Sequence, residues 1–213
     1  MITVKGKRLI EDSDTIIYPG SSINPEILEF SDGTKINSWY LSFEEDIACI
    51  VEEVGRGRTV VKLHSGDPSF SEGMSAYLRA LAERGIRGEI VPGVSSLSAV
   101  AASLETELTK DQTLIVIRPA GEPWRDDYQF ESGSIEELSG YGAATAATMA
   151  IFIGSRCVRE IIDIVGYPPD TEVSVAYHAS WADEEIVTGT VADIADKVEE
   201  IGIKRGAVIL IKP

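Results

Sequence analysis

Apolar positions along this chain fall into two alternating rhythms. Thr59-Val60-Val61-Lys62-Leu63 is a β-branched run with little polar alternation, which fits a buried parallel strand. It runs into the polar turn His64-Ser65-Gly66-Asp67 and then into the start of a helix. Gly66 can take backbone angles that other residues resist. Asp67 can cap that helix with Pro68 at its first position, or Ser69 and Glu72 can form a capping box one step later. The same grammar returns downstream. Arg87 to Val91 reads as a strand, Pro92-Gly93 as a turn, and Ser95 to Leu104 as a helix rich in Ala and Ser. Strands that end in such turns lie at the carboxyl edge of an α/β sheet, where open sheets bind ligands.

The flanking segments extend this pattern. Thr3 to Ser13 has helical spacing, with Val4, Leu9 and Ile10 apolar. Thr15 to Tyr18 is a short strand, Asn24-Pro25 opens a short helix, and Lys35 to Ser38 is an edge strand. Ser42 and Glu45 form a capping box for a helix running to about Arg56, with Phe43, Ile47, Ile50, Val51 and Val54 as its apolar face. A further helix from Ser71 to Arg84 stops at Gly85. Strand and helix alternate throughout, the signature of a parallel sheet.

Beyond Lys110 the rhythm changes. A strand over Gln112 to Arg118 precedes a polar stretch from Pro119 to Gly133, a length that marks function or disorder. Then come a short helix at Ser134 to Leu138, a strand at Thr148 to Ile153 and a helix at Ser155 to Val165. Glu172 to His178 and Glu185 to Thr188 read as a hairpin joined by Ala179 to Glu184. A helix at Val191 to Ile201 and a strand at Gly206 to Ile211 finish the chain. The expectation is a two-domain α/β protein. Residues 1–110 form a parallel-sheet domain and 111–213 a mixed-sheet α/β domain.

Composition narrows the function. With 213 residues, 44% hydrophobic and 25% charged, the chain can bury a core of one large or two small domains. No apolar run reaches the ~18 residues of a membrane span. No basic, apolar leader opens the chain, so a cytoplasmic location is expected, with Cys49 and Cys157 as free thiols. The charge of −16 argues against a nucleic-acid partner. His64 and His178, the only histidines, lack metal-ligand spacing, so no protein-bound metal is expected.

An ordered set of motifs carries a specific resemblance: Val4-Lys5-Gly6-Lys7-Arg8-Leu9, Leu63-His64-Ser65-Gly66-Asp67-Pro68-Ser69, Val91-Pro92-Gly93-Val94-Ser95-Ser96, Glu107-Leu108-Thr109, Thr148-Met149-Ala150-Ile151-Phe152 and Ala179-Ser180-Trp181-Ala182-Asp183-Glu184. Together they resemble the tetrapyrrole methyltransferases, and within them the branch that methylates C11 of precorrin-4 or cobalt-precorrin-4 in cobalamin synthesis. The resemblance implies a tetrapyrrole methylase-like fold, S-adenosyl-L-methionine as methyl donor, a tetrapyrrole acceptor and a homodimer. It places Gly66, Asp67, Phe70, Ser95, Ser96, Phe152, Ile153, Ala179 and Ala207 around the donor. Arg118 and Arg125 are candidates for the acceptor's carboxylates, since guanidinium pairs with carboxylate in bidentate fashion, and His64 for the crevice wall. Trp124, Trp181 and Tyr177 offer flat faces for a macrocycle.

Such a polyanionic acceptor requires basic groups concentrated at the pocket of an otherwise acidic chain. Methyl transfer from a sulfonium is a direct displacement, so alignment, worth up to ~7–11 kcal/mol, matters more than a nucleophilic side chain. The chain departs from the family at its start. Members begin with a strand and a Gly-x-Gly-x-Gly-Asp loop ahead of the helix that opens here at Thr3. The expectation is a start upstream of Met1 or a truncated form, with the absent strand central to the first sheet. Three readings stay open: a corrinoid methyltransferase, a ligand-holding or regulatory module of the same fold, and a related methylase with another acceptor.

Overall fold

The computed structural model describes residues 1–71, 73–109, 113–121, 129–152, 157–203 and 206–213. Trp124, Arg125 and Ile153 lie outside these residues. The chain forms two compact units, Met1–Ser96 and Leu97–Pro213.

In the first unit, α1 (Val4–Glu11) opens where the Thr3 hydroxyl accepts the Gly6 N–H. β1 (Thr15–Tyr18), α2 (Pro25–Leu28), β2 (Thr34–Asn37), α3 (Phe43–Gly55) and β3 (Val60–Lys62) follow. The strands form a parallel sheet in the order β2-β1-β3, with Thr15 opposite both Thr34 and Val60. Ser42 and Glu45 make the expected capping box of α3. Ile47 and Ile50 of α3 bury against Ile17 and against Leu81 of α5 (Met74–Ala82). Asn24 caps α2 with Pro25 at its first turn, also as expected.

Three expectations meet a different geometry here. The single helix from Ser71 to Arg84 is instead a short α4 (Pro68–Ser71) and then α5, because Gly73 stands at φ +66, a left-handed angle no α-helix contains. The apolar run of β3 is half-buried rather than buried, since its edge away from β1 pairs with no strand among the described residues. Arg87 to Val91 is not a strand: it pairs with no strand among the described residues.

The second unit is built on a five-stranded sheet in the order β4-β5-β8-β6-β7. Its strands are β4 (Leu114–Ile117), β5 (Thr148–Phe152), β6 (Glu172–Tyr177), β7 (Glu185–Thr190) and β8 (Ala207–Lys212). Only β4 and β5 are parallel; β8 runs antiparallel to β5 and β6, and β6 and β7 form the expected hairpin. The period of two along β8 separates its faces. Val208 and Leu210 pack under α6 (Ser96–Ser103), while Ile209 and Ile211 join the larger core under α7 (Ile135–Thr145), α8 (Val158–Ile164) and α9 (Ile194–Ile201). A domain boundary near residue 110 groups α6 with the first sheet. In the structure Leu97 buries against Ala150 and Leu210, and Val100 against Ala176 and Val208. That burial is why the compact units divide between Ser96 and Leu97.

Candidate functional site

In the first unit the site grows from the turn after β3 and from the Pro92-Gly93 turn. Gly66 stands at φ +72, where a Cβ is strained. At Gly93 a Cβ would lie 2.0 Å from the Gly66 carbonyl oxygen, so only glycine lets the two turns touch. A side chain on Gly66 would begin 3.5 Å from the Ser96 nitrogen. Gly66, Asp67, Ser95 and Ser96 are thereby gathered into one small edge of backbone and short side chains.

Asp67 ties that edge together. Its Oδ1 accepts the Ser69 hydroxyl at 2.6 Å and the Ser69 N–H at 2.9 Å. These bonds, together with one from the Gly93 N–H, hold its carboxyl below the usual carboxylate range. Asp67 is therefore the cap of α4, as the sequence suggested, and also a stitch between the turns. Phe70, 54% exposed, stands on the outside of α4.

Beside this edge lies a polar cluster that the sequence reading missed. Lys62, the last residue of β3, reaches Asp46 of α3 at 2.5 Å, and the Tyr77 hydroxyl donates to the same Asp46 oxygen at 2.7 Å. The other Asp46 oxygen is buried with no hydrogen-bond partner among the described residues. Lys62 also lies over the Tyr77 ring, 5.3 Å from its centroid. His64 is half-buried, its ring meeting Tyr77 edge to face at 6.0 Å. The signal was present in the spacing: Asp46, Ile50 and Glu53 recur on one helical face, so the apolar stripe of α3 contains two acids.

In the second unit, strand register collects the other candidates. Phe152 lies opposite Val208 and Ala207 opposite Tyr177, at one end of β5, β8 and β6. Ala179, just past β6, and Phe152 both pack against the cluster of Val100, Ala176 and Val208. Ala207 is 1% exposed and belongs to the core. Tyr177 and Trp181 each turn one ring face to His178, with centroids at 3.7 Å and 4.1 Å. Arg118 is exposed, and its guanidinium donates to the Gly121 carbonyl at 2.9 Å.

Cys49 is a free thiol, and burial and then the Asp46 carboxylate push it up; Cys157 is buried. Among the described residues there is no cluster of His, Cys, Asp and Glu able to hold a metal, and no helix is long and apolar enough to cross a membrane. Both groups of candidates offer backbone amides, hydroxyls and small or flat apolar surfaces. Such groups bind and orient a ligand rather than attack it.

Parallel-sheet turns closed by facing glycines, followed by a mixed antiparallel sheet, define a class with known members. Residues 1–195 match the family model of Tetrapyrrole (Corrin/Porphyrin) Methylases, and the chain belongs to that family. A Cobalt-precorrin-4 C(11)-methyltransferase of Methanocaldococcus jannaschii is 43% identical over 99% of this chain and 82% of its own length. A Precorrin-4 C(11)-methyltransferase of Pseudomonas aeruginosa is 37% identical over 99% of this chain and 84% of its own. Among solved structures, a cobalt precorrin-4 methyltransferase superposes with a TM-score of 0.86 at 30% identity, covering 99% of this chain and 88% of that one. A uroporphyrin-III C-methyl transferase of Thermus thermophilus, solved with S-adenosyl homocysteine, shares the fold at a TM-score of 0.74 and 19% identity, covering 99% of this chain and 90% of that one.

Proposed function

We propose that this protein transfers a methyl group from S-adenosylmethionine to ring carbon C11 of precorrin-4 or cobalt-precorrin-4, a step of cobalamin synthesis. The observation that carries this reading is the 43% identity to a C(11)-methyltransferase, sustained over 99% of the chain. The geometry supports it. Gly66, Asp67, Ser95 and Ser96 gather at one edge of the first unit, and Phe152, Ala179 and Ala207 gather at one end of the second sheet.

In this reading the donor binds against those two groups of residues, with Phe70 and Ile153 beside them. The acceptor's carboxylates meet Arg118 and Arg125. The enzyme works in the cytoplasm as a homodimer, and any cobalt arrives inside the acceptor. The transfer breaks the sulfur–methyl bond as the carbon–methyl bond forms; the acceptor carbon supplies the electron pair and the sulfonium leaves as the neutral thioether. The protein's share is alignment and exclusion of water.

Titration calorimetry with S-adenosylhomocysteine tests the donor edge. Asp67→Ala removes the stitch between the turns and is expected to weaken binding at least ~10-fold, about 1.4 kcal/mol, with the far-UV spectrum unchanged. Unchanged affinity in a folded variant would refute the donor assignment. Turnover of the tetrapyrrole, followed by mass, tests the reaction itself. Donor binding with no turnover would leave a ligand-holding module in its place.

A further inference from the structure

The motif Ala179-Ser180-Trp181-Ala182-Asp183-Glu184 has no task in the chemistry above beyond Ala179. In the structure it is the turn between β6 and β7, and its backbone is unusual. His178 stands at φ +45 and Ser180 at φ +74, left-handed angles at residues that carry a Cβ. Ala179 lies between them. Such strain persists only where the surroundings over-determine it, and it concentrates at functional sites.

Four groups hold this turn. The His178 ring is stacked on Tyr177 at 3.7 Å and 18°, and on Trp181 at 4.1 Å and 26°. Its Nδ1 lies 3.0 Å from the Asp183 carboxylate; a carboxylate only accepts, so Nδ1 carries a proton and donates. The Ser180 N–H donates to Glu184 Oε2, and the Ser103 hydroxyl at the end of α6 donates to the same oxygen at 2.8 Å. The Trp181 N–H closes the turn on the His178 carbonyl at 2.8 Å. The ring edge of His178 also covers Gly206, where a Cβ would lie 3.5 Å from His178 Cδ2. The turn is thus pinned to α6 through Glu184 and Ser103, and packed against the start of β8 through His178. Those elements flank Ala179 and Ala207.

We propose that His178, Asp183, Glu184 and Ser103 are positioning residues that hold the strained turn at His178 and Ser180, and with it the Ala179 backbone between them, ready for the methyl donor. This rests on the reading that Ala179 lines the donor slot. A carboxylate on each side of one strained residue pair fixes the peptide without touching the ligand. Donor affinity then depends on groups that never meet the donor.

The test is calorimetric binding of S-adenosylhomocysteine to the whole chain, with melting temperature measured in parallel. Asp183→Ala and Glu184→Ala are each expected to weaken binding about 10-fold. Asp183→Asn, which keeps an acceptor for Nδ1, is expected to restore binding to within about 3-fold. In steady-state assays the half-saturating concentration of S-adenosylmethionine is expected to rise in the alanine variants while that of the tetrapyrrole stays constant, a split that general loosening would not produce. Folded alanine variants with wild-type affinity would overturn the proposal. If the alanine variants fail to fold, Ser103→Ala decides: a weakening of about 3-fold supports the proposal and an unchanged affinity overturns it. A wild-type chain that binds no S-adenosylhomocysteine overturns the donor-site reading itself, and the proposal with it.

Discussion

The two units hold their sheets in different ways. In the second, five strands carry a nearly continuous apolar core on one face and α6 on the other, with Ile151, Ile209, Leu210 and Ile211 wholly buried. In the first, three short strands bury few apolar residues, and polar groups take up the task. Asp46 anchors one end of α3 to Lys62 on β3. Glu53 anchors the other end, accepting the Thr15 hydroxyl and the Arg58 guanidinium at 2.6 Å each, with Arg56 on its second oxygen. Apolar area sets how strongly a layer adheres. A buried charge that must meet its polar partners sets where it adheres.

The sharpest way to break the comparison is to open a cavity in each unit. Ile209→Ala in the central strand of the larger sheet is expected to destabilise by about 4 kcal/mol in urea unfolding, as large-to-small changes at fully buried sites do. Val61→Ala on half-buried β3 should lose about 1 kcal/mol. Equal losses would mean that the first unit depends on apolar packing as much as the second.

Charge deletion should reverse the ranking of the units. Asp46→Ala leaves Lys62 without its partner and is expected to lose about 3 kcal/mol, whereas Asp46→Leu combined with Lys62→Met should recover most of that. A single variant as stable as wild type would show that the pair is incidental.

The smallest effect is one of pH. The Thr15 hydroxyl, then Arg58 and Arg56, lower the Glu53 carboxyl to about 2. A depressed folded-state value gives stability that is fully present above the unfolded value of ~4.3 and is lost as pH falls through about 2. Unfolding midpoints measured between those limits should fall less steeply for Glu53→Gln than for wild type. Parallel slopes would exclude Glu53 as a contributor.

Much of this architecture was legible in the sequence, because local signals and tertiary packing agree. Asn24-Pro25 and the Ser42 box each satisfy backbone groups within a few residues, so short-range chemistry decides them. The errors arise where a partner decides. Val60 and Val61 read as buried, but burial depends on a neighbour that no local pattern reveals. Arg87 to Val91 has strand composition but pairs with no strand among the described residues. The long helix after Phe70 ignored Gly73, whose left-handed angle is a property of the tertiary path. At the candidate site Gly66, Asp67, Ser95 and Ser96 were found from their motifs. Asp46, Lys62 and Tyr77 were not, since they come from three separate elements.

The open edge of β3 also sets a clock for deuterium uptake. Leu63 donates its N–H to the Ile17 carbonyl, and in a parallel ladder alternate amides point the same way, so Val61 faces β1 as well. The amides of Val60 and Lys62 point to the other side, where no strand lies among the described residues. Exchange along these four residues should therefore alternate, fast at Val60 and Lys62 and slow at Val61 and Leu63. A segment that docks along that edge would erase the alternation before it changed any bulk property of the protein.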